Sequence, residues 1–111
     1  MKRALVLSAI VLTSSGAFAR SHTVYSPDQG VLCDKRSGFC ADSQGISMAL
    51  TGQFLGKTAA ARLLKIMGTD SDMTSFTMSN GVHCETKQRL CVTSKTTGRP
   101  DAAANGVLYK P

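Results

Sequence analysis

Alternating and periodic apolar positions divide most of the chain into short strands and one helix. Val31 to Lys35 and Gly38 to Ala41 read as the arms of a β-hairpin that turns through Arg36-Ser37, with Gly38 free to take a positive φ. Asp42-Ser43-Gln44-Gly45 is a turn cluster. Beyond it Ile46, Met48 and Leu50 alternate with Ser47, Ala49 and Thr51, the period of a half-buried third strand. Thr51 is placed to cap a short helical turn through Phe54-Leu55. Thr58 to Met67 predicts a helix with Ala60, Leu63, Leu64 and Met67 on its core face, Arg62 and Lys65 toward water, and Gly68 as its stop. After the polar Thr69 to Asp72, Phe76 and Met78 alternate with Thr77 and Ser79 as a strand. Asn80-Gly81 is the strongest short hairpin signal in the chain. It joins that strand to Val82 to Glu85, which returns through Lys87-Gln88 to Arg89 to Thr93. From about residue 95, Gly98, Pro100, an alanine run and Gly106 predict an irregular tail, with Val107 to Tyr109 returning as a short edge strand. The expectation is a small α+β domain: two antiparallel β-meanders flanking a helical segment.

Residues 1–19 follow a different pattern. Lys2 and Arg3 precede an apolar run from Ala4 to Leu12, a polar break at Thr13 to Gly16, and the small-x-small sequence Ala17-Phe18-Ala19. This is the form of a cleaved signal peptide. The rival reading, an uncleaved anchor, would need an apolar run of roughly 20 residues. Residues 20–111 are then expected as a single exported domain, and no later stretch in it is apolar enough to span a bilayer.

Export changes how the cysteines are read, because an oxidising compartment favours disulfides. Cys33, Cys40, Cys84 and Cys91 all follow the leader. Gly30-Val31-Leu32-Cys33-Asp34 with Phe39-Cys40 matches Gly81-Val82-His83-Cys84-Glu85 with Leu90-Cys91, at an offset of 51 residues. Each pair is separated by six residues, a spacing suited to facing positions on a hairpin. The repeat therefore predicts Cys33 with Cys40 and Cys84 with Cys91, to be distinguished from crossed pairings by peptide mapping. Zinc is the sharper alternative, but the short knuckle spacings it favours are missing. Redox catalysis would call for C-x-x-C.

Composition narrows the function classes without naming one. In 111 residues the chain has 42% hydrophobic positions but no Trp, enough for a modest core that needs staples. No sequence motif places a nucleophile beside a base and its orienting acid, no phosphate loop or metal-protease motif is present, and no cofactor is implied. His83, between Val82 and Cys84, reads as a strand residue facing away from the staple, without catalytic partners. The chain carries 13 basic and 7 acidic residues, and both hairpin tips are basic: Lys35-Arg36 on one, Lys87 and Arg89 on the other. If the tips lie together they form a patch for an anionic partner. Nucleic acid is not implied, since no stacking aromatics interleave with these charges. Cleavage after Ala19 would also leave His22 third in the chain, a nitrogen set that suits Cu(II) or Ni(II), although no physiological metal role is assigned to it.

Ser26-Pro27 leading into Gly30 to Asp34, the run Gly45 to Thr51 with Phe54-Leu55-Gly56, and Phe76 to Cys84 resemble the YcgJ family, also called Fels prophage protein-like, of small exported proteins of Gram-negative bacteria. The resemblance covers about Ser26 to Cys91 and implies a periplasmic setting with four paired cysteines. It brings no activity and carries over no catalytic residue. The reading is an exported, periplasmic or secreted, non-enzymatic protein that binds an unknown protein or an anionic envelope component. The alternative is an inhibitor or immunity-type protein that inserts a basic tip near the paired carboxylates of a secreted cell-wall hydrolase. A structural envelope factor and a metal carrier come behind.

Overall fold

A computed structural model describes residues 23–69, 71–96 and 98–109. The expected leader, residues 1–19, and His22 lie outside the described residues. Two antiparallel sheets carry the fold, one of four strands in the order β1-β2-β3-β4 and one of three in the order β5-β6-β7. The first comprises β1 (Val24–Asp28), β2 (Val31–Asp34), β3 (Phe39–Asp42) and β4 (Gly45–Ser47). Helices α1 (Met48–Leu55) and α2 (Lys57–Met67) follow, then β5 (Ser75–Thr77), β6 (His83–Glu85), β7 (Leu90–Val92) and a terminal α3 (Ala102–Leu108). This is the α+β arrangement of two meanders around a helical segment, and both local disulfides, Cys33–Cys40 and Cys84–Cys91, are formed.

Strand pleating sorts the first sheet's residues onto two faces. Leu32 pairs with Ala41 and Asp34 with Phe39, while Cys33 faces Cys40 on the other side. Leu32, Phe39 and Ala41 meet Phe76, Cys84, Cys91, Leu63 and Leu108 in the larger core, where the Phe39 and Phe76 rings cross edge to face at 5.6 Å. Cys33 and Cys40 instead belong to a second cluster, packed with Leu50, Phe54 and Leu55 of α1. The first sheet is thus covered on both faces, whereas the second turns Ser75, Thr77, His83 and Glu85 away from the core.

Four expectations are corrected. Met48 and Leu50, expected in a strand, are helical. Ser47 is the helix cap in place of Thr51, its Oγ accepting the Leu50 N–H at 3.1 Å. Thr51 is fully buried; its hydroxyl donates to the Ser47 carbonyl at 2.7 Å and accepts the Cys40 N–H at 2.8 Å, so it ties α1 to the first staple. Leu64, assigned to the core face of α2, is 53% exposed, while Leu63 is buried and Met67 packs against the core from the same helix. The tail expected to be irregular, with an edge strand at Val107 to Tyr109, forms α3 and buries Ala104, Leu108 and Tyr109. Asp101 caps α3 by accepting the Ala104 N–H at 2.9 Å. The Asn105 amide accepts the Cys91 N–H at 2.7 Å and donates to the Cys91 carbonyl at 2.8 Å, taking the place of a neighbouring strand. The β1 strand, broken in register between Tyr25 and Asp28, was not anticipated.

At Gly45 the first sheet meets the segment that leads into β5. Ile46 N–H donates to the Met73 carbonyl at 2.8 Å, and a Cβ on Gly45 would stand 2.2 Å from that same oxygen. With φ at +119° the position suits only glycine. Gly45→Ala is expected to destabilise the protein by about 2 to 3 kcal/mol, checked by urea unfolding.

Candidate functional site

The first hairpin tip is built on a buried carboxylate. Asp34 is 0% exposed, yet it stands at the end of β2 where the chain reverses. Its Oδ1 accepts the N–H groups of Arg36 at 3.1 Å and Ser37 at 3.4 Å, which fixes the turn. Its Oδ2 accepts the Ser79 N–H at 2.6 Å, and Oδ1 the Ser79 hydroxyl at 2.8 Å, across 45 residues of sequence. One carboxylate therefore shapes the tip and joins the two meanders. Gly38 closes the reversal at φ +82°, and Cys33–Cys40 clamps the arms behind it. Lys35, Arg36 and Ser37 are left exposed on this rigid frame, with the Lys35 ammonium 5.2 Å from the centre of the Tyr25 ring.

Beside the tip lies an open cleft of about 420 Å³, walled by Lys35 and Gly38 of the hairpin, Phe54 and Leu55 of α1, and Thr58, Ala59 and Arg62 of α2. Two cations line it and no carboxylate does. The whole stretch from Ser43 to Thr69 contains Lys57, Arg62 and Lys65 but neither Asp nor Glu.

The second tip is placed elsewhere. Asp34 meets the β5–β6 turn at Ser79, whereas Lys87 and Arg89 belong to the β6–β7 turn, at the opposite end of β6. The two basic tips are not brought together. The charges of the second tip also have local counterparts: Lys87 acts on the Asp72 carboxyl, and the Arg89 guanidinium lies 5.4 Å from the Tyr109 ring centre. Asp72 is held below the ordinary carboxylate range, chiefly by the Thr74 hydroxyl and then the Thr74 N–H. Arg89 occupies the place in the repeat that Gly38 fills in the first hairpin, and it too has a positive φ, +52°.

His83 does have partners. Its Nε2 lies 2.7 Å from Glu85 Oε2 and its Nδ1 2.7 Å from Thr77 Oγ1, while the Ser75 hydroxyl donates to Glu85 Oε2 at 2.8 Å. A neutral ring fits this network with its proton on Nε2, donated to Glu85, leaving Nδ1 to accept from Thr77. Thr77 and Ser75 sit directly opposite His83 and Glu85 in the β5–β6 register, so strand pairing and not sequence spacing assembles the group. Its plain role is a cross-strand polar tie on an uncovered sheet face. His83, then Ser75, hold the Glu85 carboxyl below its ordinary range. Carbon-13 NMR titration is expected to show a lowered Glu85 midpoint that rises toward the usual glutamate value in His83→Ala. Because the folded value is depressed, this tie's stabilisation is present above the ordinary glutamate range and is lost as pH falls through the lowered one.

Fold and site together define a small, doubly disulfide-stapled α+β protein in which no described helix is long and apolar enough to cross a membrane. The YcgJ protein family matches residues 24–109, and the chain belongs to that family. It is 36% identical over 91 residues to the uncharacterized protein YcgJ of Escherichia coli strain K12, an alignment covering 76% of this chain and 71% of that protein. No solved structure matches.

Proposed function

We propose that this protein is exported to the periplasm or beyond and acts without catalysis, by binding an anionic envelope component through the first hairpin. The observation that carries the reading is the tip itself. Lys35 and Arg36 project from a turn whose backbone is fixed by Asp34, by Gly38 and by the Cys33–Cys40 staple. A tip held in one shape loses little conformational freedom on binding. Two disulfides accord with an oxidising compartment. The binding surface is the tip and cleft around Lys35 and Arg36; Lys87 and Arg89, at the far end of the second sheet, are not part of it.

Co-sedimentation of the disulfide-bonded protein with purified Gram-negative peptidoglycan tests this. Retention should fall as salt rises and should be lost in Lys35→Ala/Arg36→Ala. Retention that survives that double substitution would count against the tip. The same exposed hairpin favours one second reading, inhibition of a secreted lysozyme by lodging a cation between its carboxylates. Turnover of peptidoglycan by a lysozyme, with and without the protein, separates the two.

A further inference from the structure

The cleft beside the tip differs from the tip in one respect: it joins its cations to an apolar wall. Phe54 and Leu55 are only partly covered, although both pack against the Cys33–Cys40 cluster. Lys35 of the hairpin and Arg62 of α2 both line the cleft, together with Ala59. On α2, Ala59, Arg62 and Ile66 follow one another at helical spacing, and Ile66 is 69% exposed. The stripe therefore continues the cleft with an uncovered apolar side chain. A flat membrane fits a concave surface poorly, whereas the volume of about 420 Å³ lies within the usual small-ligand range. With two cations and apolar side chains together in the lining and no carboxylate among them, a complementary occupant carries a negative head and one hydrocarbon chain.

We infer that the cleft binds a monomeric single-chain amphiphile with a phosphate or carboxylate head. Lys35 and Arg62 hold the head, and Phe54 and Leu55 take the chain. The inference rests on the reading of the first hairpin as the binding face and adds a ligand class to it. Ala59→Leu fills the cleft with a good helix former and leaves every charge in place.

Isothermal titration of the disulfide-bonded protein with dodecyl phosphate, below its micelle concentration, is expected to show saturable one-to-one binding. Dodecanoate should bind comparably if charge alone is read, and more weakly if a phosphate is preferred; either result fits an anionic head. Dodecyl maltoside and inorganic phosphate should each bind at least about tenfold more weakly, since one lacks the charge and the other the chain. Arg62→Ala and Ala59→Leu should each weaken dodecyl phosphate about tenfold, while Lys87→Ala changes nothing. Equal binding of dodecyl maltoside, or an unchanged affinity in both Arg62→Ala and Ala59→Leu, would overturn the assignment. So would binding to phosphatidylglycerol vesicles without binding to the monomeric amphiphile. If dodecyl phosphate fails while peptidoglycan retention still depends on Lys35 and Arg36, the cleft assignment falls and the tip reading stands. If Ala59→Leu loses the amphiphile and the double tip substitution leaves polymer retention intact, the tip reading falls and the cleft assignment stands.

Discussion

Asp34→Ala is expected to cost about 3 to 4 kcal/mol of folding stability, a loss more typical of a large core truncation than of a turn residue. The reason lies in what the carboxylate holds. Its removal leaves the N–H groups of Arg36, Ser37 and Ser79 and the Ser79 hydroxyl without their acceptor. Water can reach the exposed tip and the exposed Ser79 and replace part of this, but the position of the Asp34 carboxylate itself is 0% exposed. Asp34→Asn keeps the shape and one acceptor oxygen while pointing an NH2 group at a donor, so about half that loss is expected. Ser79→Ala removes one bond and should cost about 1 kcal/mol. Urea unfolding of the disulfide-intact variants checks the order. A double-mutant cycle between Asp34 and Ser79 should show coupling well above the few tenths of a kcal/mol found for independent sites.

Replacing both disulfides with alanine pairs is expected to leave the protein mostly unfolded at 37 °C. Each staple joins residues seven apart in sequence, for which loop closure gives about 2.5 kcal/mol. Lost together, they remove about 5 kcal/mol, comparable with the whole stability of a domain near the lower limit of its size class. The chain-entropy contributions are equal because the separations are equal, so a difference between the single knockouts reports the surroundings. Cys84 and Cys91 sit in the larger core and Cys33 and Cys40 in the smaller cluster beneath α1. Loss of the Cys84–Cys91 pair should therefore cost more. Loss of Cys33–Cys40 should loosen α1 and the binding tip first, seen as faster amide exchange at Cys40, whose N–H is held by Thr51.

Local features carried much of the fold into the sequence. The G-V-x-C repeat, the positive-φ glycine after Arg36-Ser37 and the Asn80-Gly81 turn specify both hairpins through short-range geometry, and the staples follow from them. Other parts depended on tertiary partners. Ile46, Met48 and Leu50 alternate as a strand would, but Leu50 and Phe54 are also spaced as one helical face, and the Ser47 cap with the buried Thr51 decides for helix. The tail contains Gly106 and little amphipathic pattern, and it is helical because Asp101 caps it and Asn105 docks it on Cys91. At the candidate site the cations of the first tip were legible from the hairpin. Arg62, Phe54 and Leu55 were not, because their meeting with Lys35 depends on how α1 and α2 fold back over the staple. The partners of His83 escaped for a related reason: strand register, set by the Asn80-Gly81 turn, places Thr77 and Ser75 across from His83 and Glu85.

Two matched charge reversals test the central claim that the first hairpin, and not the second, is the binding surface. Lys35→Glu/Arg36→Glu and Lys87→Glu/Arg89→Glu change net charge equally, one pair on the β2–β3 turn of the first sheet and the other on the β6–β7 turn of the second. Peptidoglycan co-sedimentation at fixed ionic strength should be abolished by the first pair and retained by the second, with circular dichroism confirming that both remain folded. Equal loss from the two pairs would reduce the interaction to net charge, and loss confined to the second pair would contradict the account.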